Sequence, residues 1–151
     1  MLRPKATLLL ALALLVALGL SAHPAQAART TSVTSVLSGG IICTTYATVV
    51  TYGVYPSGNM TLHKVSCSQP VGRLLVRGSQ YRTRVLPSYT TSAVCYNTAS
   101  CSVTLEVLQF GQGTWTVSTA AQAGTLLNPT FYGTPATAYN TIVCNETYCT
   151  E

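Results

Sequence analysis

The sequence predicts an all-β fold, a small antiparallel β-sandwich or barrel stapled by three disulfides. Three observations carry that reading. Period-two alternation of apolar and polar residues recurs in short runs, turn residues separate those runs at short intervals, and six cysteines follow an N-terminal export segment. No stretch keeps a helical period. Charged residues make up only 7% of the chain, whereas β-branched and aromatic residues are frequent, which argues for a packed extracellular β-domain and against disorder.

The export segment sets the domain boundaries. Arg3 and Lys5 precede a leucine- and alanine-rich run over residues 6–20, too short and too poorly flanked for a membrane span. Ala25-Gln26-Ala27 then supplies the small-x-small pattern of a cleavage site. Residues 1–28 are therefore expected to be a signal peptide and residues 29–151 a single secreted β-domain, extracellular and without a membrane span. The alanine-rich signal suits a bacterium. The mature part carries six basic residues, Arg29, Lys64, Arg73, Arg77, Arg82 and Arg84, against Glu106, Glu146 and Glu151, a net of +3. So small a charge disfavours nucleic acid as a partner.

Alternation places strands at 30–37, 41–55, 60–67, 73–77, 80–86, 90–95, 101–110, 114–120 and 137–144. The breaks are Gly39-Gly40, the Pro56-Ser-Gly-Asn59 turn, Gly78-Ser79, Pro87-Ser88, Gly111-Gln-Gly113 and Asn128-Pro129.

An even cysteine count in an exported chain reads as a disulfide framework. Spacing favours two local bridges. Cys95 to Cys101 brackets a turn-prone Asn97 and would pin a hairpin, and Cys144 to Cys149 would tie down the C-terminus, leaving Cys43 to Cys67. A metal site is not expected, because the thiols are taken up and His63 is the only mature histidine.

A two-residue turn at Gly78-Ser79 would align Arg73, Arg77, Arg82 and Arg84 on one face of a hairpin, with Arg73 opposite Arg84. Such a face suits a phosphate, a sulfate or an acidic protein surface. The plainer reading is a solvated edge whose charges discourage aggregation. Nine tyrosines fit recognition surfaces, though each is equally an ordinary strand residue. Trp115 and the segment at 130–133 are candidates for a sugar platform.

Catalytic chemistry is constrained by inventory. The mature chain contains no aspartate and three glutamates, so a Ser-His-Asp triad cannot be assembled and paired-carboxylate chemistry has few candidates. One constellation survives by residue type, a small ribonuclease with Glu106 as base, His63 as acid and Arg73 and Arg77 on phosphate. The plainer reading makes His63 a surface residue and Glu106 a solvent-facing strand position. No cofactor is expected, and the chain is read as non-enzymatic.

The segment that begins the mature chain is strand-competent. Thr30, Val33, Val36 and Leu37 form an arm that could add to a partner's sheet, with Gly39-Gly40 as a hinge, or else the first strand of the chain's own sheet. Phe110-Gly-Gln-Gly-Thr114 is similar to the joining segment of antibody variable domains, but no tryptophan follows Cys43 at the expected place, so it is read as a local bulge. In size, export, cysteine content and scarcity of catalytic groups the chain resembles the small secreted adaptor subunits of actinobacterial umbrella toxin particles. That resemblance implies an adaptor joining a lectin-like subunit to a large toxin subunit. The expected function is a secreted protein-interaction or structural subunit whose partner is another secreted protein. The alternative is a module that binds an anionic or glycan surface.

Overall fold

The computed structural model describes residues 28–51, 59–82, 85–107, 112–144 and 149–150. They form seven antiparallel strands of one sheet: β1 (Ala28–Val36), β2 (Ile42–Thr51), β3 (Asn59–Arg82), β4 (Val85–Val107), β5 (Gly113–Gly124), β6 (Ala138–Cys144) and β7 (Cys149–Thr150). The sheet is nearly closed into a barrel, as the alternation predicts. Among the described residues no helix is long and apolar enough to cross a membrane. The expected signal segment before Ala28, Arg84, the Pro56 turn, Phe110-Gly111 and the loop holding Glu146 lie outside the described residues.

The architecture depends on β3 and β4, which are 24 and 23 residues long and run antiparallel along their whole length. The first half of β3 has β2 on its other edge, and the second half has β5 there. Between the halves the β3–β4 register shifts from Ser66 to Val71, and extra residues on one strand exchange the faces that side chains occupy. Before the shift the inward set is Thr61, His63, Val65 and Cys67; after it, Leu74, Val76, Gly78 and Gln80. The hairpin thus belongs to both sides of the barrel, and β2 packs over β5 and β6.

Apolar residues collect in two clusters. One contains Ile41, the Cys43–Cys67 bridge, Val65, Leu74 and Val76; the other contains Ala47, Val49, Trp115, Val117 and Ile142. Trp115 is only 4% exposed, so it is a core residue and offers no sugar platform. It packs beside Tyr89, with ring centroids 6.2 Å apart.

Closure is made by side chains. β1 pairs with β2 from Ala28↔Val50 to Val36↔Ile42, so the N-terminal segment is the first strand of the chain's own sheet. Its other edge meets β6 through Thr31 Oγ1 donating to the Tyr139 carbonyl and Asn140 Nδ2 donating to the Arg29 carbonyl at 3.0 Å. Just ahead of β6, the Ala136 amide donates to Ser35 Oγ at 2.7 Å. Gly39 and Gly40, with φ of 77° and 73°, form the tight turn into β2.

Three sequence expectations are corrected. Gly78 and Ser79 are not a turn: they lie within β3, with Thr91 and Thr90 on one side and Thr119 and Ser118 on the other. The chain reverses after Arg82, which pairs with Val85. The Cys95–Cys101 bridge exists but pins no hairpin, because both cysteines belong to β4 and bracket the irregular stretch at Asn97, whose φ is 50°. Pro87-Ser88 likewise falls inside β4. Cys43–Cys67 forms as expected between directly paired residues of β2 and β3. Cys144 is also disulfide-bonded and stands opposite Cys149 in the β6–β7 ladder.

The two bridges within the described strands should differ in worth. Cys43–Cys67 closes 24 residues and is buried, whereas Cys95–Cys101 closes 6, with Cys95 only half-buried. Loop entropy alone makes the longer bridge about 1 kcal/mol more stabilising. Denaturant titration of the Cys43→Ala/Cys67→Ala and Cys95→Ala/Cys101→Ala pairs should show the first losing more by at least that amount.

Candidate functional site

His63 is the one histidine among the described residues, and the structure buries it completely. It stands in a polar belt that separates the two apolar clusters, formed where the inward positions of the strands carry Thr45, Thr61, His63 and Thr119. The expectation of a surface histidine is corrected. Its place follows from the odd-numbered inward face of the first half of β3.

The ring's hydrogen bonds form a directed chain. Thr61 Oγ1 donates to the Leu105 carbonyl at 3.2 Å, so it accepts from His63 Nε2–H at 2.8 Å. Nδ1 then accepts from the Thr119 hydroxyl at 2.7 Å. Both ring nitrogens are satisfied in the neutral imidazole, and burial pushes its pKa down from 6.5 to about 4. The ring lies on Gly78: a Cβ there would collide with its Cγ, Cδ2 and Nε2 atoms. A glycine inside a strand marks such a close approach.

The ribonuclease constellation does not assemble. Glu106 is exposed and pairs with Met60, whose neighbour Thr61 points inward, so His63 and Glu106 lie on opposite faces of the sheet. Among the described residues no three His, Cys, Asp or Glu side chains gather into a metal-binding group.

The four-arginine face is also not formed. Arg73 and Arg77 point outward from β3, with the exposed Tyr81 farther along the same row. Arg82 belongs to the alternate set and donates to the Gln112 carbonyl at 2.6 Å, while Arg84 lies outside the described residues. Arg73 faces Tyr96 and Gly124, with no arginine opposite, and its Nε is buried without a hydrogen-bond partner. In β1, Thr30 Oγ1 bonds Thr48 Oγ1 at 2.8 Å and Val33 and Val36 are exposed; Leu37, just after the strand, packs against the first cluster.

One surface feature escapes sequence reasoning. Residues 125–133 fold back on the end of β5 into a compact apolar knuckle. Asn128 organises it: its carbonyl accepts from the amides of Thr125 at 2.9 Å and Phe131 at 3.2 Å, and its Oδ1 accepts from the Thr130 amide at 3.2 Å. The Tyr132 and Gly133 amides both donate to the Ala123 carbonyl, and the Ser38 amide donates to the Tyr132 carbonyl. Gly124 permits the fold-back, since a Cβ there would collide with the Asn128 carbonyl oxygen and with Pro129. The knuckle leaves Leu127 98%, Phe131 59% and Leu126 55% exposed, beside the turn whose cross-strand pair Val36 and Ile42 is 73% and 47% exposed. The signal in the sequence is Asn128-Pro129 after two leucines, which marks a turn without showing that the leucines face water.

No protein-family model matches the chain, and no curated protein is significantly similar to it.

Two tests address the histidine. Unfolded histidine protonates near pH 6.5 and the folded ring near 4, so the unfolded chain binds more protons between those values. The stability due to the neutral ring is complete above about pH 6.5 and is lost as pH falls towards 4, about 3 kcal/mol in all. Urea titrations from pH 8 to 4 should show this extra loss in the native chain relative to His63→Gln. Gly78→Ala should cost about 1–3 kcal/mol by overpacking, and combining it with His63→Ala should cost less than the two single changes added.

Proposed function

We propose that this chain is a secreted, non-enzymatic protein-interaction subunit, acting as an adaptor in an extracellular assembly through the apolar knuckle at 125–133. The observation that carries the reading is the exposure of Leu127, Leu126 and Phe131 on a loop held by several backbone hydrogen bonds. A leucine left almost wholly in water on a fixed loop is favourable only if something covers it, and a pre-ordered loop loses little entropy when it docks. Bridged cysteines and the N-terminal export segment support an oxidising, extracellular setting. The buried, neutral His63 and its separation from Glu106 support binding over catalysis. The resemblance to umbrella-particle adaptors agrees with this role, and the partner is another secreted protein.

The test is recovery of the tagged chain from its native culture medium. The native chain should elute with a stoichiometric protein partner, and Leu127→Asp should weaken that complex at least tenfold, the loss expected of a central apolar anchor, with an unchanged melting temperature. A native chain that elutes alone, or an undiminished complex with Leu127→Asp, overturns the reading.

A further inference from the structure

The outward face shared by β3, β4 and β5 carries a cleft of about 620 Å³, lined by Arg77, Ser79, Thr90, Thr91, Ser92 and Ala120. The registers explain it. Arg77 lies between Ser92 and Ala120, and Ser79 between Thr90 and Ser118, so small residues form a floor beside one long cation. A depression of about 80 Å³ continues from Arg77 and Ala120 towards Leu75, Gln122 and Thr134. Ser79 Oγ and Ser118 Oγ bond each other at 2.6 Å. Among the described residues the Arg77 guanidinium and the hydroxyls of Thr90 and Ser92 make no side-chain hydrogen bond or ion pair. Glu106, the one acid among the described residues, belongs to the other half of the hairpin, opposite Met60.

We propose that this cleft binds a short anionic saccharide, its oxyanion on Arg77 and its hydroxyls on Ser79, Thr90 and Ser92. The chemistry decides among ligands. A free guanidinium fork takes a sulfate, phosphate or carboxylate in bidentate fashion. The volume falls in the range of small-ligand sites and far exceeds one free oxyanion, so the anion belongs to a larger molecule. The second half of β3 is paired on both edges, so a ligand seated over Arg77 and Ser79 meets side chains there and no free ladder groups of that strand. Those side chains are hydroxyls around one cation, complementary to a polyhydroxylated anion. The site is separate from the knuckle, and either can fail without the other.

Titration calorimetry and amide chemical-shift mapping of the mature chain test the site. The probes are a heparin-derived hexasaccharide, oligogalacturonate and a mannose 6-phosphate oligosaccharide, which distinguish sulfate, carboxylate and phosphate, with maltohexaose and inorganic sulfate as references. At least one anionic saccharide should bind with shifts at Arg77, Ser79 and residues 90–92, and at least tenfold more tightly than either reference. Arg77→Gln should weaken it about tenfold or more, as should Ala120→Leu, which fills the floor without changing charge. Lys64→Gln should change it by less than twofold. Absence of binding by all three saccharides, full affinity in Arg77→Gln, or equal sensitivity to Lys64→Gln overturns the assignment.

Discussion

The contact between the His63 ring and the bare backbone of Gly78 is the constraint on which the barrel depends. Both residues lie on β3, one in the half that faces β2 and the other in the half that faces β5. A strand can touch itself across fifteen positions only by coiling round the interior. The histidine fixes that coil through Thr119 on β5 on one side and, through Thr61, Leu105 on β4 on the other. Apolar packing above and below the belt supplies most of the stabilisation, but it has no direction. Hydrogen bonds do, and a buried imidazole with both nitrogens satisfied selects one arrangement of the three strands. The cost is a core that disfavours the charged ring.

The surface follows from the same alternation. Inward positions take the apolar residues and the belt, leaving the outward rows to serine, threonine and tyrosine with few charges. Against this uniform polar background two places stand out for opposite reasons. At the end of β5 a loop turns leucine and phenylalanine outward, and towards the end of β3 small residues leave a depression beside the Arg77 guanidinium. The barrel thus presents two surfaces of unlike chemistry on one frame.

Much of the fold is legible in the sequence because alternation is a local signal. β1, β2, β5 and β6 fall near their expected positions, and Cys43–Cys67 is found where the spacing leaves it. What could not be read was long-range. Gly78-Ser79 has the composition of a turn, and only the ring of a residue fifteen positions earlier shows why a glycine sits in mid-strand. Arginines grouped by an assumed hairpin separate once that hairpin is a continuous strand, since Arg73 and Arg77 face outward while Arg82 turns the other way. Likewise, His63 between Leu62 and Lys64 looks exposed until β2, β4 and β5 enclose its side of β3. The knuckle was hidden because exposure depends on how residues 125–133 fold back over Gly124, which local composition does not encode.

The seam between β1 and β6 has a kinetic meaning. β1 holds its neighbour β2 through a regular ladder, yet it reaches β6 through a few side-chain bonds from Thr31, Ser35 and Asn140, and most of its own residues face water. Lifting that strand uncovers little apolar area, so local opening there costs far less than global unfolding. Breathing of the barrel therefore begins along this line, and amide hydrogens of β1 exchange with solvent long before those at the centre of β3.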